Sequence, residues 1–266
     1  MKQAFSTQNI TLLHELVRTD FKLRYQGSAL GYAWSLLRPL LMFLILYIVF
    51  VKFLKLGGDI PHYPIYLLLG IVLWTFFTEV TSQSLTSIVE RGDLIRKIRI
   101  PRWIIVISAS ISALINLSLN LLVVIVFMFF NKVDILQTSL WFPLILLEIY
   151  ILGVGLSFIL ATAFVKYRDL SHVWEIVLQA GFYVTPILFP LSLITNVAYQ
   201  KLLLINPMAQ AIQDARYSLV THEALNTSSV YGYSYARLVP IAICVLLLVL
   251  GVLYFRKEAK NFAENL

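Results

Sequence analysis

Charged residues are scarce in this chain of 266 residues. Asp, Glu, Lys and Arg make up 13% of it and hydrophobic residues 59%, whereas a soluble domain carries about 25% charged residues. So few charged side chains cannot cover a water-exposed surface, which indicates a multi-pass membrane protein. Cysteine is scarcer still. The single Cys244 lies in an apolar run, so a disulfide framework and a thiolate metal cluster are both excluded.

Sequence signatures of an energy source and of a catalytic centre are also missing. The chain has no G-x-x-x-x-G-K-[ST] loop for ATP phosphates, no H-E-x-x-H helix and no G-x-S-x-G turn. Its four histidines are scattered, and an interfacial position is favoured over metal ligation for each. Glu79 and Glu148 are the candidates for ion coupling, but a satisfied polar contact between helices is the favoured interpretation of both. We therefore expect no catalytic residue, metal or cofactor on this chain.

A basic and aromatic stretch precedes the first long apolar run. It places Lys22, Arg24 and Arg38 among tyrosine and tryptophan residues, a composition typical of the cytoplasmic membrane–water interface. Residues 1–28 lack the pattern of a cleaved signal peptide. We expect them to be retained as an amphipathic interface helix, and the chain to bend near Gly27 and rise into the membrane.

The apolar runs predict an all-α integral membrane domain over residues 29–266. Its six predicted transmembrane helices span about 34–56, 65–87, 103–130, 140–165, 172–191 and 240–255. Short re-entrant helices are predicted over about 192–235, and Gly153 and Gly155 are predicted to allow close helix approach. With both termini in the cytoplasm, 15 of the 21 Lys and Arg residues lie on the cytoplasmic side. The net charge of +7 is therefore attributed to this bias and to anionic lipid, and not to nucleic acid.

The densest group of charges lies between the second and third predicted spans. Residues 90–102 mix acidic, basic and apolar side chains, and Pro101 ends the segment. A membrane transport protein without its own energy source needs a surface on which an energy-supplying subunit can act. We therefore interpret this segment as a short cytoplasmic helix that docks on a partner. A simple positive-inside anchor is the alternative. The residues assigned to the contact are Glu90, Arg91, Asp93, Leu94, Ile95, Arg96 and Lys97.

Aromatic residues are abundant, at 14% of the chain. Most are expected to pack against lipid or neighbouring helices. Several cluster near the ends of the first, second and fifth predicted spans. Where such rings face a lumen, they offer flat surfaces on which sugar rings bind weakly and without one fixed position. The candidates for a glycan channel are Tyr32, Trp34, Trp74, Phe77, Phe182, Tyr183 and Phe189.

Three motifs occur together and in order. They are RYQGSALGYAWSLLRPL at 24–40, KIRIPRW at 97–103, and YVTPILFP followed by LLLINPMAQAIQDAR within 183–216. Through them the chain resembles, over nearly its whole length, the transmembrane subunit of the ABC-2 type exporters of polysaccharides and polyol phosphates. This group contains the O-antigen and teichoic acid permeases. The first and third motifs are specific, and the middle one is weaker.

The resemblance implies a homodimer in the bacterial cytoplasmic membrane, bound to two copies of a separate ATPase that holds ATP and Mg²⁺. The helix at about 90–99 would be the coupling helix that docks on this ATPase, and the outer helices would form the exit of the channel. Arg24 and Tyr25 match the region where a lipid-linked pyrophosphate enters, and Lys22 and Arg38 belong to the same basic region.

The implied substrate is an undecaprenyl-diphosphate-linked polysaccharide of O-antigen type. A teichoic acid or other polyol-phosphate polymer is the alternative within the resemblance. Two further classes stay open outside it: an ion-coupled secondary transporter, which would depend on Glu79 or Glu148, and a membrane transferase that acts on lipid-linked sugars without ATP.

Overall fold

The computed structural model describes residues 7–25, 31, 33–55, 60–97, 100–134 and 137–262, which contain helices and turns but no strand. These residues form eleven α-helices, and a π-helical segment, Tyr47–Phe53, continues the second. The helices are α1 (Thr7–Tyr25), α2 (Ala33–Leu46), α3 (Tyr63–Glu90), α4 (Gly92–Lys97), α5 (Trp103–Phe130), α6 (Phe142–Lys166), α7 (Leu170–Val184), α8 (Val197–Leu204), α9 (Pro207–Leu219), α10 (Thr227–Tyr231) and α11 (Leu238–Glu258).

Five helical segments of the described chain are long and apolar enough to cross a membrane. They are Ala33–Phe53, Tyr63–Glu90, Trp103–Phe130, Gln137–Lys166 and Ser234–Asn261. Each reaches the roughly 20 residues that a bilayer core requires. They overlap the first four predicted spans and the last one, which confirms an all-helical multi-pass membrane protein.

The predicted fifth span, 172–191, differs from the others. Its helix is α7, which has 15 residues and ends at Val184, and a helix of this length covers about 22 Å of a hydrocarbon core about 30 Å thick. The helix stops because Pro186 disfavours the helical conformation at Thr185, whose backbone is extended with ψ of 135°. A sixth crossing is therefore not formed by this helix alone.

The centre of the protein is α3. Of its apolar stretch, 78% is buried, against 17% for the first span. α3 packs against α5 and α6, and it also contacts α2, α7 and α9. Because so much of its surface is covered by protein, α3 fixes the positions of the other helices.

Glycine lets α6 approach its two neighbours closely. A Cβ on Gly155 would lie 2.7 Å from the backbone nitrogen of Leu248 in α11, and a Cβ on Gly251 would lie 2.3 Å from the Gly155 carbonyl oxygen. On another face of α6, a Cβ on Gly153 would lie 2.9 Å from Cγ1 of Val80 in α3. The predicted close approach at Gly153 and Gly155 is confirmed, since side chains there would keep the helices apart.

Apart from α7, the remaining helices lie at the two ends of this assembly. α1 packs against α5, and the predicted bend near Gly27 lies outside the described residues. At the opposite end, α8 and α9 meet at the Asn206–Pro207 break that the sequence predicts. Asn206 caps α9, because its Oδ1 accepts a hydrogen bond from the Met208 N–H at 3.0 Å, and Pro207 occupies the first turn. Below, the end of the molecule that carries α4 is called the α4 end, and the opposite end the α9 end.

Candidate functional site

The short helix α7 runs beside the middle of α3. Nε1 of Trp174 donates a hydrogen bond to Oγ1 of Thr81 at 3.1 Å. About two helical turns later in α7, a Cβ on Gly181 would lie 2.8 Å from the Trp74 ring. Residues 74 and 81 belong to the central part of the span Tyr63–Glu90, so α7 lies at membrane depth and runs antiparallel to α3.

A stripe of polar side chains follows the outer surface of α7. It consists of His172, Glu175, Gln179 and Tyr183, all of them exposed, and is called the α7 polar stripe below. Spacings of three and four residues place these side chains on one face of a helix. Exposed apolar residues such as Val173 and Val177 lie on a different face of the helix.

Polar groups at membrane depth face protein or a water-filled space, because lipid offers them no hydrogen bonds. The stripe is not covered within the described part of this chain, so it needs either water or another polypeptide over it. Sequence reasoning missed the stripe because it judged the stretch 172–191 by its overall hydropathy and by its breaks at Pro186 and Pro190. The regular spacing of the three polar residues within that stretch was the available signal.

Four of the predicted channel aromatics form a row that leads from the core to the surface of α7. The ring centroids of Phe77 and Trp74 lie 5.6 Å apart, those of Trp74 and Phe182 6.2 Å, and those of Phe182 and Tyr183 5.5 Å. Trp74 and Phe77 are buried inside the protomer, whereas Tyr183 is 59% exposed. Within this row only Tyr183 presents its ring to the space beside α7, and the other three support it.

The other predicted channel aromatics are spread over different elements. Trp34 on α2 is 47% exposed. Phe189 follows α7 and packs against the main core, and Tyr32 lies outside the described residues. The structure therefore brings Trp74, Phe77, Phe182 and Tyr183 together, and their contact with a glycan stays a prediction.

At the α9 end, the side chain of Arg216 joins three elements; this arrangement is called the Arg216 anchor. Its Nε donates to the Tyr66 carbonyl at 2.9 Å, its Nη1 to the Pro186 carbonyl at 2.6 Å and its Nη2 to the Ile187 carbonyl at 2.7 Å. The guanidinium also lies 3.7 Å from the centroid of the Tyr66 ring, a cation–π contact. Because α9 contributes the arginine, α3 the tyrosine and the segment after α7 the two other carbonyls, this side chain holds all three together.

A buried guanidinium is costly unless its N–H groups are paired, so the anchor depends on exact geometry. The Arg216 side chain is 0% exposed, and burial lowers its pKa from the ordinary value while Tyr66 and Tyr63 oppose that shift. Its planar fork suits several carbonyls at fixed angles, which a lysine could not replace. Space for it exists because α3 has glycine at position 70, where a Cβ would lie 2.4 Å from Nη2 of Arg216. The sequence motif contains this arginine, but no role followed from the sequence.

The predicted partner-docking segment forms α4 together with the end of α3. Glu90, Asp93, Arg96 and Lys97 are exposed, and Leu94 is half-buried. Ile95 turns inward and packs on a cluster that contains Ile88 and Ile105. The exposed face of α4 is therefore charged, and residues 98 and 99 of the predicted segment lie outside the described residues.

Arg91 points into the protein. Its Nη2 donates to Oδ1 of Asp20 in α1, and its Nη1 donates to Oγ of Ser108 in α5 at 2.9 Å. Arg91 thus links the docking segment to α1 and α5. Asp20 had not been singled out from the sequence, although it is an isolated acidic residue in a basic segment.

The predicted lipid-diphosphate region is described in part. Lys22 on α1 and Arg38 on α2 are both exposed. The side chains of Arg24 and Tyr25 lie outside the described part of the chain. The two visible cations are accessible, and the role of all four residues stays a prediction.

The half-buried Glu79 and the buried Glu148 differ from each other. Oε2 of Glu79 accepts a hydrogen bond from Nδ2 of Asn116 at 3.1 Å, which confirms the expected polar contact between helices α3 and α5. Oε1 of Glu148 makes no hydrogen bond in the described structure. The expected satisfied contact is therefore incomplete for Glu148, one of whose oxygens faces a largely apolar cavity between α6, α9 and α11.

Comparison with known proteins gives a consistent picture. The family described as "ABC-2 type transporter" matches residues 11–220. An "O-antigen export system permease protein RfbA" of Myxococcus xanthus is 28% identical over 96% of this chain and 95% of its own length. A protein of the same name from Klebsiella pneumoniae is 30% identical over 96% and 95%. The "Polysialic acid transport protein KpsM" of Escherichia coli is 26% identical over 82% of this chain and 84% of its own length.

Proposed function

Because the chain belongs to the ABC-2 type transporter family, we propose that it is the membrane permease subunit of an ATP-driven exporter. The proposed cargo is a lipid-linked polysaccharide of O-antigen type, carried on undecaprenyl diphosphate. Relatives named as O-antigen export permeases, alike over 96% of the chain, support this cargo. Their names favour a glycan over the teichoic acid alternative.

The observation that carries the proposal is the α7 polar stripe. A polar polymer needs a path that offers hydrogen bonds at membrane depth. The stripe provides an amide, a carboxylate and an imidazole on one face and ends at the exposed ring of Tyr183. One protomer supplies one wall, so in this proposal a second copy completes the conduit. The row of rings Phe77, Trp74 and Phe182, which are buried or partly buried, would hold that wall in place.

Energy would come from a separate ATPase subunit, which binds ATP and Mg²⁺. The charged face of α4 suits this contact, since Asp93, Arg96 and Lys97 are all exposed on one short helix. In this arrangement the α4 end and both termini lie in the cytoplasm, and the α9 end faces outward with α8 and α9 as re-entrant helices. The basic residues Lys22, Arg24 and Arg38, with Tyr25, would hold the diphosphate while its lipid tail stays in the bilayer.

Cysteine accessibility tests the conduit. In a Cys244→Ala background, which removes the single cysteine, Gln179→Cys places a thiol on the stripe. Val177→Cys is the matched control, because it is also exposed but lies about 160° around the helix from position 179. In membranes that contain the permease and its ATPase, a charged, membrane-impermeant thiol reagent is expected to modify position 179 and stop polymer export.

The control position should react slowly and leave export unchanged. Equal modification of both positions, or modification of position 179 without loss of export, would count against a conduit along α7. Export by the purified permease without nucleotide or ATPase would overturn the proposed energy source and leave the conduit as a separate question.

A further inference from the structure

A cavity of about 410 Å³ lies between α6, α9 and α11 near the α9 end. Most of its wall is apolar and comes from α6 and α11. The apolar lining includes Leu144, Ile145, Leu147, Ile151, Ile241 and Val245. Leu144, Leu147 and Val245 are 47–56% exposed on the outer surface of these helices, so the cavity opens sideways toward lipid between α6 and α11.

The inner wall of the cavity carries a polar group of unusual composition. It consists of Glu148 from α6, Gln210 and Asp214 from α9, and Arg237 at the start of α11. Asp214 is well paired: its Oδ1 accepts from the Thr227 N–H at 3.1 Å and its Oδ2 from Nε2 of Gln210 at 2.8 Å. Nε of Arg237 lies 2.9 Å from the same Oδ2. The aspartate and the arginine therefore neutralise each other.

Two acceptors on this wall are left over. Oε1 of Glu148 and Oε1 of Gln210 make no hydrogen bond, although their residues are only 9% and 1% exposed. The donor Nε of Arg237 also makes no hydrogen bond of good geometry, but its ion pair with Asp214 holds it. A buried acceptor without a donor costs about 1–3 kcal/mol, and more when it carries charge. If Glu148 is ionised, two carboxylates face one guanidinium on this wall, and a positively charged partner would favour that ionised form. The group that completes this site must therefore donate hydrogen bonds, and a positive charge on it would be matched by Glu148 in its ionised form.

We propose that this cavity binds the primary ammonium group of a membrane lipid, such as an ethanolamine headgroup. Its three N–H donors suit the two free acceptors, one of which belongs to Glu148, and its positive charge would stabilise the ionised form of that glutamate. The apolar walls and the sideways opening suit a lipid chain. A hard metal cation fits less well, since it prefers six or more oxygen ligands and the wall offers two free ones.

The proposal concerns a structural lipid and does not depend on the exported cargo. Because α6, α9 and α11 all line the cavity, a bound ammonium group would join α9 to the two helices beneath it. α9 would then be fixed on two faces: by the Arg216 anchor on one, and by the bound lipid beside Gln210 and Asp214 on the other.

The test is lipid retention by the wild-type protein, measured by native mass spectrometry after mixing with phosphatidylethanolamine, phosphatidylcholine or phosphatidylglycerol. Choline has the charge without N–H donors, and glycerol has neither. We expect the ethanolamine lipid to be retained roughly tenfold more strongly than either of the others. Equal retention of all three lipids would mean that the cavity holds water or a second copy of the chain, and would overturn the proposal.

Substitutions locate the effect. Glu148→Gln should abolish the preference for the ethanolamine lipid, whereas Glu79→Gln, the same change at the half-buried glutamate of α3, should keep it. Val245→Trp fills the cavity without altering its polar wall and should also remove the bound lipid. Val249→Trp on the same helix, equally exposed at 49% but outside the cavity, should not. A preference that survives both Glu148→Gln and Val245→Trp would place the lipid elsewhere and refute the assignment.

Discussion

Replacing Gly70 by alanine tests the Arg216 anchor, because two effects of opposite sign compete there. Inside a helix alanine is preferred over glycine by about 0.8–1.0 kcal/mol, so helix propensity alone predicts a more stable protein. At this position the new Cβ would lie 2.4 Å from Nη2 of Arg216 and 3.1 Å from its Cζ. The guanidinium must move, and its 2.7 Å hydrogen bond to the Ile187 carbonyl is the first to break.

The expected loss follows from these contacts. Overpacking a well-filled core costs about 1–3 kcal/mol, and a buried carbonyl left without a donor costs about 1–3 kcal/mol more. After the gain in helix propensity, Gly70→Ala should lower the free energy of unfolding by about 1–5 kcal/mol. Thermal or denaturant unfolding in detergent, followed by the fluorescence of the five tryptophans, measures this change.

A double-mutant cycle with Arg216→Met tests whether the clash with Arg216 causes the loss of stability in Gly70→Ala. Methionine is uncharged and flexible, so it can make room for the alanine. We expect Arg216→Met to destabilise the protein by itself, and Gly70→Ala to be neutral or stabilising in that background. The interaction free energy of the pair should then exceed about 1 kcal/mol. An equal penalty in both backgrounds, or a stabilising Gly70→Ala in the wild type, would refute the reasoning.

Three further predictions concern other contacts. Arg91→Gln should lower the free energy of unfolding by about 1–3 kcal/mol, because Asp20 loses its half-buried partner. Adding Asp20→Asn should cost little more in the same unfolding assay. Additive losses would contradict a direct interaction between Arg91 and Asp20. Leu94→Asp should abolish copurification with the ATPase while membrane insertion, judged by extraction with detergent, stays normal; undiminished copurification would contradict the docking role of α4. Gly251→Ala should separate α6 from α11, since its Cβ would lie 2.3 Å from the Gly155 carbonyl oxygen; we expect a loss of about 1–3 kcal/mol, and an unchanged melting temperature would rule out the close approach.

Hydropathy and length predicted most of the fold. The predicted third span, 103–130, has the same bounds as α5. The reason is that Pro101 before the long apolar run and Asn131 after it mark where the helix begins and ends. The break at Asn206–Pro207 was equally readable, since asparagine caps and proline begins helices for local reasons. Such features depend on neighbouring residues alone.

What the sequence did not reveal depends on contacts between distant residues. Arg216 binds carbonyls about 30 and 150 positions away, so its role has no local pattern. Arg91 looked like part of a charged surface, but its partner Asp20 lies 71 positions earlier. Glu148 looked like an ordinary polar contact, and only the cavity beside it shows that one oxygen is unpaired. Burial and pairing of polar groups are tertiary properties, which hydropathy cannot supply.

The contacts of α3 limit how a transport movement can spread through the protomer. This helix of 28 residues is about 42 Å long. It meets α4 at one end, holds α7 through Thr81 and Trp74 at its middle, and holds α9 through the Arg216 anchor at its other end. Because these contacts are hydrogen bonds and close packing on a buried helix, a displacement of α4 is carried along α3 and is not absorbed within it. We therefore expect α3, α7 and α9 to move as one body, which favours a proposed path that opens at the exposed α7 polar stripe, against a second copy of the chain, over a path within a single copy.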